Sequence, residues 1–233
     1  MAVGMLPVVG RRAFIVQQID DPGATFKINP RKAMNTTTRQ LEGKSVFVLG
    51  SAPGVSLSVR HEDDIVIAIN GSLIPFPSIV PDILFINAYT TIARTEVARK
   101  TMARLGGLKV RHVVGIETGQ GLSDMLDALA AAGMQWESAS AMTREERRDV
   151  TGRAIGRVPD GDRGDAVLST GVTALAWAVE QRATTIRWDG FSLQGGHSYL
   201  PDATNRDHVR VDSEALVRLF GVHDPSGPRQ WNR

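Results

Sequence analysis

The chain has 233 residues, which suits one domain, or a domain with an extension, and is enough to bury a sizeable core. A formal charge of +2, with Lys and Arg spread along the chain and not gathered in a stripe, argues against a nucleic-acid partner. There is no cysteine, which excludes disulfides and thiolate metal sites and fits a reducing compartment.

No stretch reaches the roughly 18 apolar residues of a membrane span. Near the N-terminus the charges of Arg11 and Arg12 follow a short apolar run, the reverse of a secretory signal. The expected location is the cytoplasm, with a peripheral contact at the inner face of the membrane left open. Residues 1–43 read as a partly ordered N-terminal extension, since Asp20-Asp-Pro-Gly23 ends the one strand-like run, Phe14–Val16, as a turn.

From Lys44 onward strands and helical patterns alternate. Val46–Leu49 is a short apolar run that suits a buried strand, and it runs into Gly50-Ser51-Ala52-Pro53-Gly54. Gly50 and Gly54 allow a tight turn and close approach to a ligand. Asp64–Ile69 is a second strand ending at Asn70-Gly71, and Asp82–Ile86 a third ending at Asn87. Thr90–Leu105 reads as a helix closed by Gly106-Gly107. Leu108–Val114 is a fourth strand, followed by a helix that Ser123 can cap and Gly133 stops.

Glu137–Asp165 is charged and glycine-bearing, and it reads either as a solvated helix and loop or as a lid over a site. Ser169-Thr170-Gly171 then opens a helix with apolar residues at Val172, Leu175, Ala176 and Val179. Thr184–Trp188 is a further strand, ending at Asp189-Gly190-Phe191. The alternation predicts an α/β fold: a Rossmann-like, mostly parallel sheet with helices on both faces. One nucleotide-binding domain spans 44–220, with the lid-like insertion at 137–165 and a C-terminal tail at 221–233.

In such a sheet the strand C-termini share one edge, where ligands bind. Asn70 and Asn87 would offer amide donors and acceptors there, although Asn also ends strands because it tolerates turns. The Ser169–Gly171 helix start is either an anion site or an ordinary N-cap. Among five histidines none has H-E-x-x-H spacing, so a zinc site is not expected. His208 lies just ahead of an amphipathic helix, where a neutral imidazole could take a proton near pH 7; a surface loop histidine is the other reading.

Taken in order, these segments resemble the bacterial sialyltransferases of glycosyltransferase family 42 and, more distantly, the animal sialyltransferases. The resemblance covers most of 44–220. Val46–Leu57 is similar to that family's opening strand and G-x-G-P-S-L turn, with one residue added at Gly54-Val55 and Ala52 in place of the usual glycine. Asn70 and Asn87 match the asparagines after its second and third strands. Ser169–Leu175 is similar to its Ser/Thr-Gly helix start, and Ile186–Phe191 to its strand and Gly-Phe turn. Gly196-His-Ser-Tyr199 resembles its G-S-S-Y segment, and His208 with Asp212 its catalytic histidine and the helix behind it. Two features depart from the pattern. Leu193 or Gln194 stands where a second tyrosine is frequent, and the gap from His208 to the aspartate is one residue short.

The resemblance implies an inverting, metal-independent transfer of sialic acid or a related ulosonic acid from a CMP-sugar to a glycan or glycolipid acceptor. It implies His208 as general base and Tyr199 as a donor to the leaving phosphate. Gly50, Ser51, Ala52, Pro53, Asn70, Asn87, Ser169, Thr170, Gly171, Gly190 and Phe191 would line the donor. No cofactor is implied beyond the CMP-sugar itself, no metal ligands are expected, and homo-oligomerisation stays open. The G-x-x-P-x-x-S-L start and the Asn-Gly strand end also resemble archaeal pterin pyrophosphokinases, which use ATP and magnesium. A nucleotide-binding module without catalysis is the third reading.

Overall fold

The structure is a computed structural model that describes residues 40–87, 95–116, 121–159, 167–194 and 208–233. Tyr199, His197, residues 160–165 of the expected lid and most of the expected N-terminal extension lie outside the described residues.

Seven strands form one sheet in the order β5-β4-β3-β2-β1-β6-β7. The three central strands are β1 (Ser45–Leu49), β2 (Ile65–Ile69) and β3 (Ile83–Asn87). Their residues are buried in unbroken runs, because helices cover both faces of a parallel sheet. The two-residue side-chain period divides them. Val46, Val48, Ile67, Ile69, Ile83 and Phe85 join one core cluster, while Phe47, Leu49, Val66, Ala68, Leu84 and Ile86 join the other. The second cluster is closed by Leu105 of α1 (Glu96–Leu105) and by Leu126 and Leu129 of α2 (Leu122–Ala131). α1 begins at Thr95, whose hydroxyl accepts from Ala98 N (3.1 Å). α2 begins at Gly121 without a side-chain cap, so Ser123 lies inside the helix and does not cap it.

β4 (Lys109–Ile116) carries β5 (Gln135–Met142) in parallel at the edge. Here the structure departs from the expected lid. Residues 137–142 are sheet, and α3 (Arg144–Ile155) follows at once through a capping box. Thr143 Oγ1 accepts from Glu146 N (3.1 Å), and Glu146 Oε2 accepts from Thr143 N (2.8 Å). α3 buries Arg147, Val150, Thr151, Ala154 and Ile155, a stripe with ordinary helical spacing. It packs against α4 (Thr170–Glu180) and α5 (Val209–Phe220) on the first-cluster face. Two of its five buried positions are Arg and Thr, so a search for apolar periodicity passes over it.

α4 leads into β6 (Thr185–Asp189), which pairs in parallel with β1 on the side opposite β2. From β1 to β5 each strand steps outward in one direction, and then the chain returns to the other side of β1. The gap between the C-terminal ends of β1 and β6 is therefore the topological switch point, where ligands of such sheets sit.

Both ends of the expected domain need correction. β7 (Arg229–Asn232) pairs antiparallel with β6, so the last residues are a strand and not a tail. Trp231 packs edge-on against Phe220 (5.7 Å between ring centres). At the other end Leu41 is fully buried, and Gln40 N donates to Gln181 Oε1 (3.0 Å), so the domain begins before Lys44. Among the described residues no helix is long and apolar enough to cross a membrane.

Candidate functional site

The turns after β1 and β6 are built on each other. Gly50 N donates to Asp189 O (2.8 Å), and Ala52 N donates to Gly190 O (2.7 Å). A Cβ at Gly50 would lie 2.2 Å from Gly190 O and 2.8 Å from Phe191 Cδ2. A Cβ at Gly190, whose φ is +79°, would lie 2.3 Å from Val55 Cγ2. These glycines let two backbones approach each other, so the close approach expected of Gly50 toward a ligand is taken up by protein. Phe191 is core, and its ring edge fills the space a Cβ on Gly171 would need, 2.9 Å away. Ala52 is buried, whereas Ser51 is half-buried and Pro53 is exposed.

Asp189 ties this junction together. One carboxylate oxygen accepts from Gly190 N (2.7 Å), and the other accepts from Ser56 N (3.0 Å) and Ser56 Oγ (3.1 Å). The pattern reading passed over Asp189 because it ends an apolar strand. Its sequence signal is a carboxylate placed directly before a turn glycine.

The asparagines meet as expected. β2 and β3 are neighbours, so Asn70 and Asn87 end on one edge. Asn70 takes φ +49°, a left-handed conformation that Asn tolerates better than most residues. Asn70 N still continues the β2–β3 pairing by donating to Phe85 O (2.8 Å), and Asn70 Oδ1 accepts from Asn87 N (3.2 Å). Asn87 Nδ2 in turn donates to Thr170 Oγ1 (2.9 Å) at the start of α4. Three separated segments are thus joined at one point on the C-terminal edge.

Ser169 is the N-cap of α4. Its hydroxyl accepts from Val172 N (3.3 Å), and its own N–H donates to Asp212 Oδ1 (2.8 Å). The N–H groups of Thr170 and Gly171 stand in the first turn, where helix geometry provides no intrahelical carbonyl.

His208 reaches the same region from the start of α5. Its Nδ1 lies 2.8 Å from Val167 O. A carbonyl oxygen only accepts, so Nδ1 carries the hydrogen, and in the neutral ring Nε2 keeps its lone pair. One turn on, Asp212 is buried. Burial pushes its carboxyl above the ordinary value, opposed by the Ser169 hydrogen bonds and by the charges of His208 and Arg147. Burial likewise lowers Arg147 to about 10, opposed by Asp212. Arg147 was read only as part of a charged run; its clue lay in its spacing with Val150, Thr151, Ala154 and Ile155.

The other described histidines stand apart. His61 and His223 are exposed. His112 is held between Ser138 and Ser140 of β5, each hydroxyl 2.8 Å from a ring nitrogen, and burial lowers its pKa. Among the described residues no group of three or more His, Asp or Glu is placed to hold a metal ion. No family model, curated protein or solved structure compared with the chain matches it.

Proposed function

We propose that the protein is an inverting glycosyltransferase that moves sialic acid or a related ulosonic acid from a CMP-sugar to a glycan acceptor. One observation carries this reading. A histidine with its Nε2 lone pair available stands beside a helix start that is wired to two strand-end asparagines. Such a set can do two jobs together. Ser51, Asn70, Asn87 and the first turn of α4 offer donors and acceptors to a nucleotide monophosphate at the switch point. His208 Nε2 takes the proton of an acceptor hydroxyl as that hydroxyl attacks the anomeric carbon from the face opposite the nucleotide. As the bond to CMP breaks, charge builds on the leaving phosphate, and fixed donors aimed at it lower the barrier. Thr170, the Gly171 N–H and Tyr199 are assigned that part. The reaction so written needs no metal.

The test is CMP release from CMP-sialic acid with a galactoside acceptor, for wild type, His208→Ala and Tyr199→Phe. General-base catalysis contributes about 10²–10⁴-fold, and His208→Ala is expected to lose that much turnover while binding CMP as before. Unchanged turnover removes His208 from the mechanism, and no release from any CMP-ulosonic acid removes the reading. Thermal shift with CMP, CDP and ATP separates it from an ATP-dependent pyrophosphokinase, because a ligand of the native state raises the melting temperature.

A further inference from the structure

The backbone of Val167, Leu168 and Ser169 is held by side chains from α3, α4 and the start of α5. Val167 O accepts from His208 Nδ1 (2.8 Å), and Leu168 N donates to Thr151 Oγ1 (3.2 Å). Leu168 O accepts from Arg147 Nη2, and Ser169 N donates to Asp212 Oδ1 (2.8 Å). Thr151 Oγ1 also donates to Arg147 O (2.8 Å), which aims its lone pairs at Leu168. Arg147 is 8 % exposed, Asp212 6 % and Leu168 0 %. A buried guanidinium is costly to desolvate, and an apolar side chain would complete the α3 stripe more cheaply. What the guanidinium supplies is a charged donor to the Leu168 carbonyl, which also accepts from Thr173 Oγ1 of α4 (3.4 Å).

We propose that Arg147 is a positioning residue for His208. With Thr151 and Asp212 it clamps Val167–Ser169, so that the Val167 carbonyl stays against Nδ1 and the imidazole presents Nε2 as the proton acceptor. The catalytic meaning of this clamp rests on the transfer reading above; the tautomer itself does not. A carbonyl displaced by Arg147 loss would free Nδ1, and a solvated imidazole favours the Nε2–H form.

The test is the long-range proton–nitrogen spectrum of the full chain labelled with ¹⁵N-histidine, with His208 signals assigned by their loss in His208→Gln. Wild type is expected in the Nδ1–H form. Arg147→Met is expected to shift His208 toward Nε2–H, and Arg147→Lys, which keeps a donor, to retain more of the native form. An Nε2–H wild type overturns the inference. So does an Arg147→Met protein that melts cooperatively and keeps the Nδ1–H form unchanged. If Arg147→Met does not fold, Thr151→Val decides, because it removes the acceptor of Leu168 N and the donor to Arg147 O while keeping the guanidinium. A shifted tautomer there supports the clamp, and an unshifted one overturns it. In the transfer assay a misplaced base should lower kcat by about 10²-fold, with CMP affinity near that of wild type. A chain with the Nδ1–H form that transfers no sugar ends the transfer reading and leaves the clamp in place.

Discussion

Gly50→Ala separates a packing glycine from a ligand-facing one. The added Cβ would meet Gly190 O at 2.2 Å, Gly190 C at 2.6 Å and Phe191 Cδ2 at 2.8 Å. Two of these atoms are backbone, so no rotamer change relieves the clash. The β1 and β6 turns must move apart, which strains or breaks the bonds from Gly50 N to Asp189 O and from Ala52 N to Gly190 O. Overpacking of this kind costs about 1–3 kcal/mol. Two weakened hydrogen bonds add about 1 kcal/mol each. The expected loss is about 4 kcal/mol, or roughly 8–16 °C in Tm for a domain of this size. Gly54→Ala is the control: its φ is +83° with nothing within 4 Å of the new Cβ, so it carries only the left-handed strain. That strain is worth about 1–2 kcal/mol. Differential scanning calorimetry of the two variants, without and with CMP, reads both effects. A Gly50→Ala protein that melts no lower than Gly54→Ala but loses its CMP-induced shift would refute the packing argument and return Gly50 to the ligand.

Arg187→Met strands Asp64, whose carboxylate is fully buried and accepts from Arg187 Nη1 (2.7 Å) and Ser45 Oγ (2.6 Å). Urea melts should show a loss of about 3–5 kcal/mol, and much of it should return in Asp64→Leu/Arg187→Met. His112 has a folded pKa lowered by burial from 6.5, so as pH falls the unfolded chain binds the proton first. Its contribution to stability is present above about pH 6.5 and is lost as pH falls from there through the folded pKa. The Tm gap between wild type and His112→Gln should therefore narrow between about pH 7 and pH 5, and a constant gap would contradict this. Thr143→Ala removes the acceptor of Glu146 N and should lower stability by about 1 kcal/mol, read as a Tm drop of roughly 2–4 °C.

The central strands were legible in the chain because each is a short run of β-branched and large apolar residues ending in Gly or Asn. Alternation with helical patterns made the sheet parallel, and a parallel sheet puts strand ends on one edge. Asn70 and Asn87 could be named on that ground alone. The edge strands were not legible. Gln135–Met142 has no β-branched residue and Arg229–Asn232 is mostly polar, and what makes them strands is the unpaired backbone of β4 and β6 beside them. The buried face of α3 was hidden for a related reason. Arg147 can lie on a buried face only because a carbonyl of a distant segment and a buried aspartate await it there.

Strand order also lay outside local pattern, and with it the switch point between β1 and β6, the joining of Asn87 to Thr170, and the meeting of His208 with Val167. The residue types at Gly50 and Gly190 signal close backbone approach in either setting. Only the tertiary structure decides what approaches, and here it is the other turn. Local sequence determines which backbone shapes are cheap. Hydrogen-bond partners and burial at long range determine which polar groups those shapes bring together.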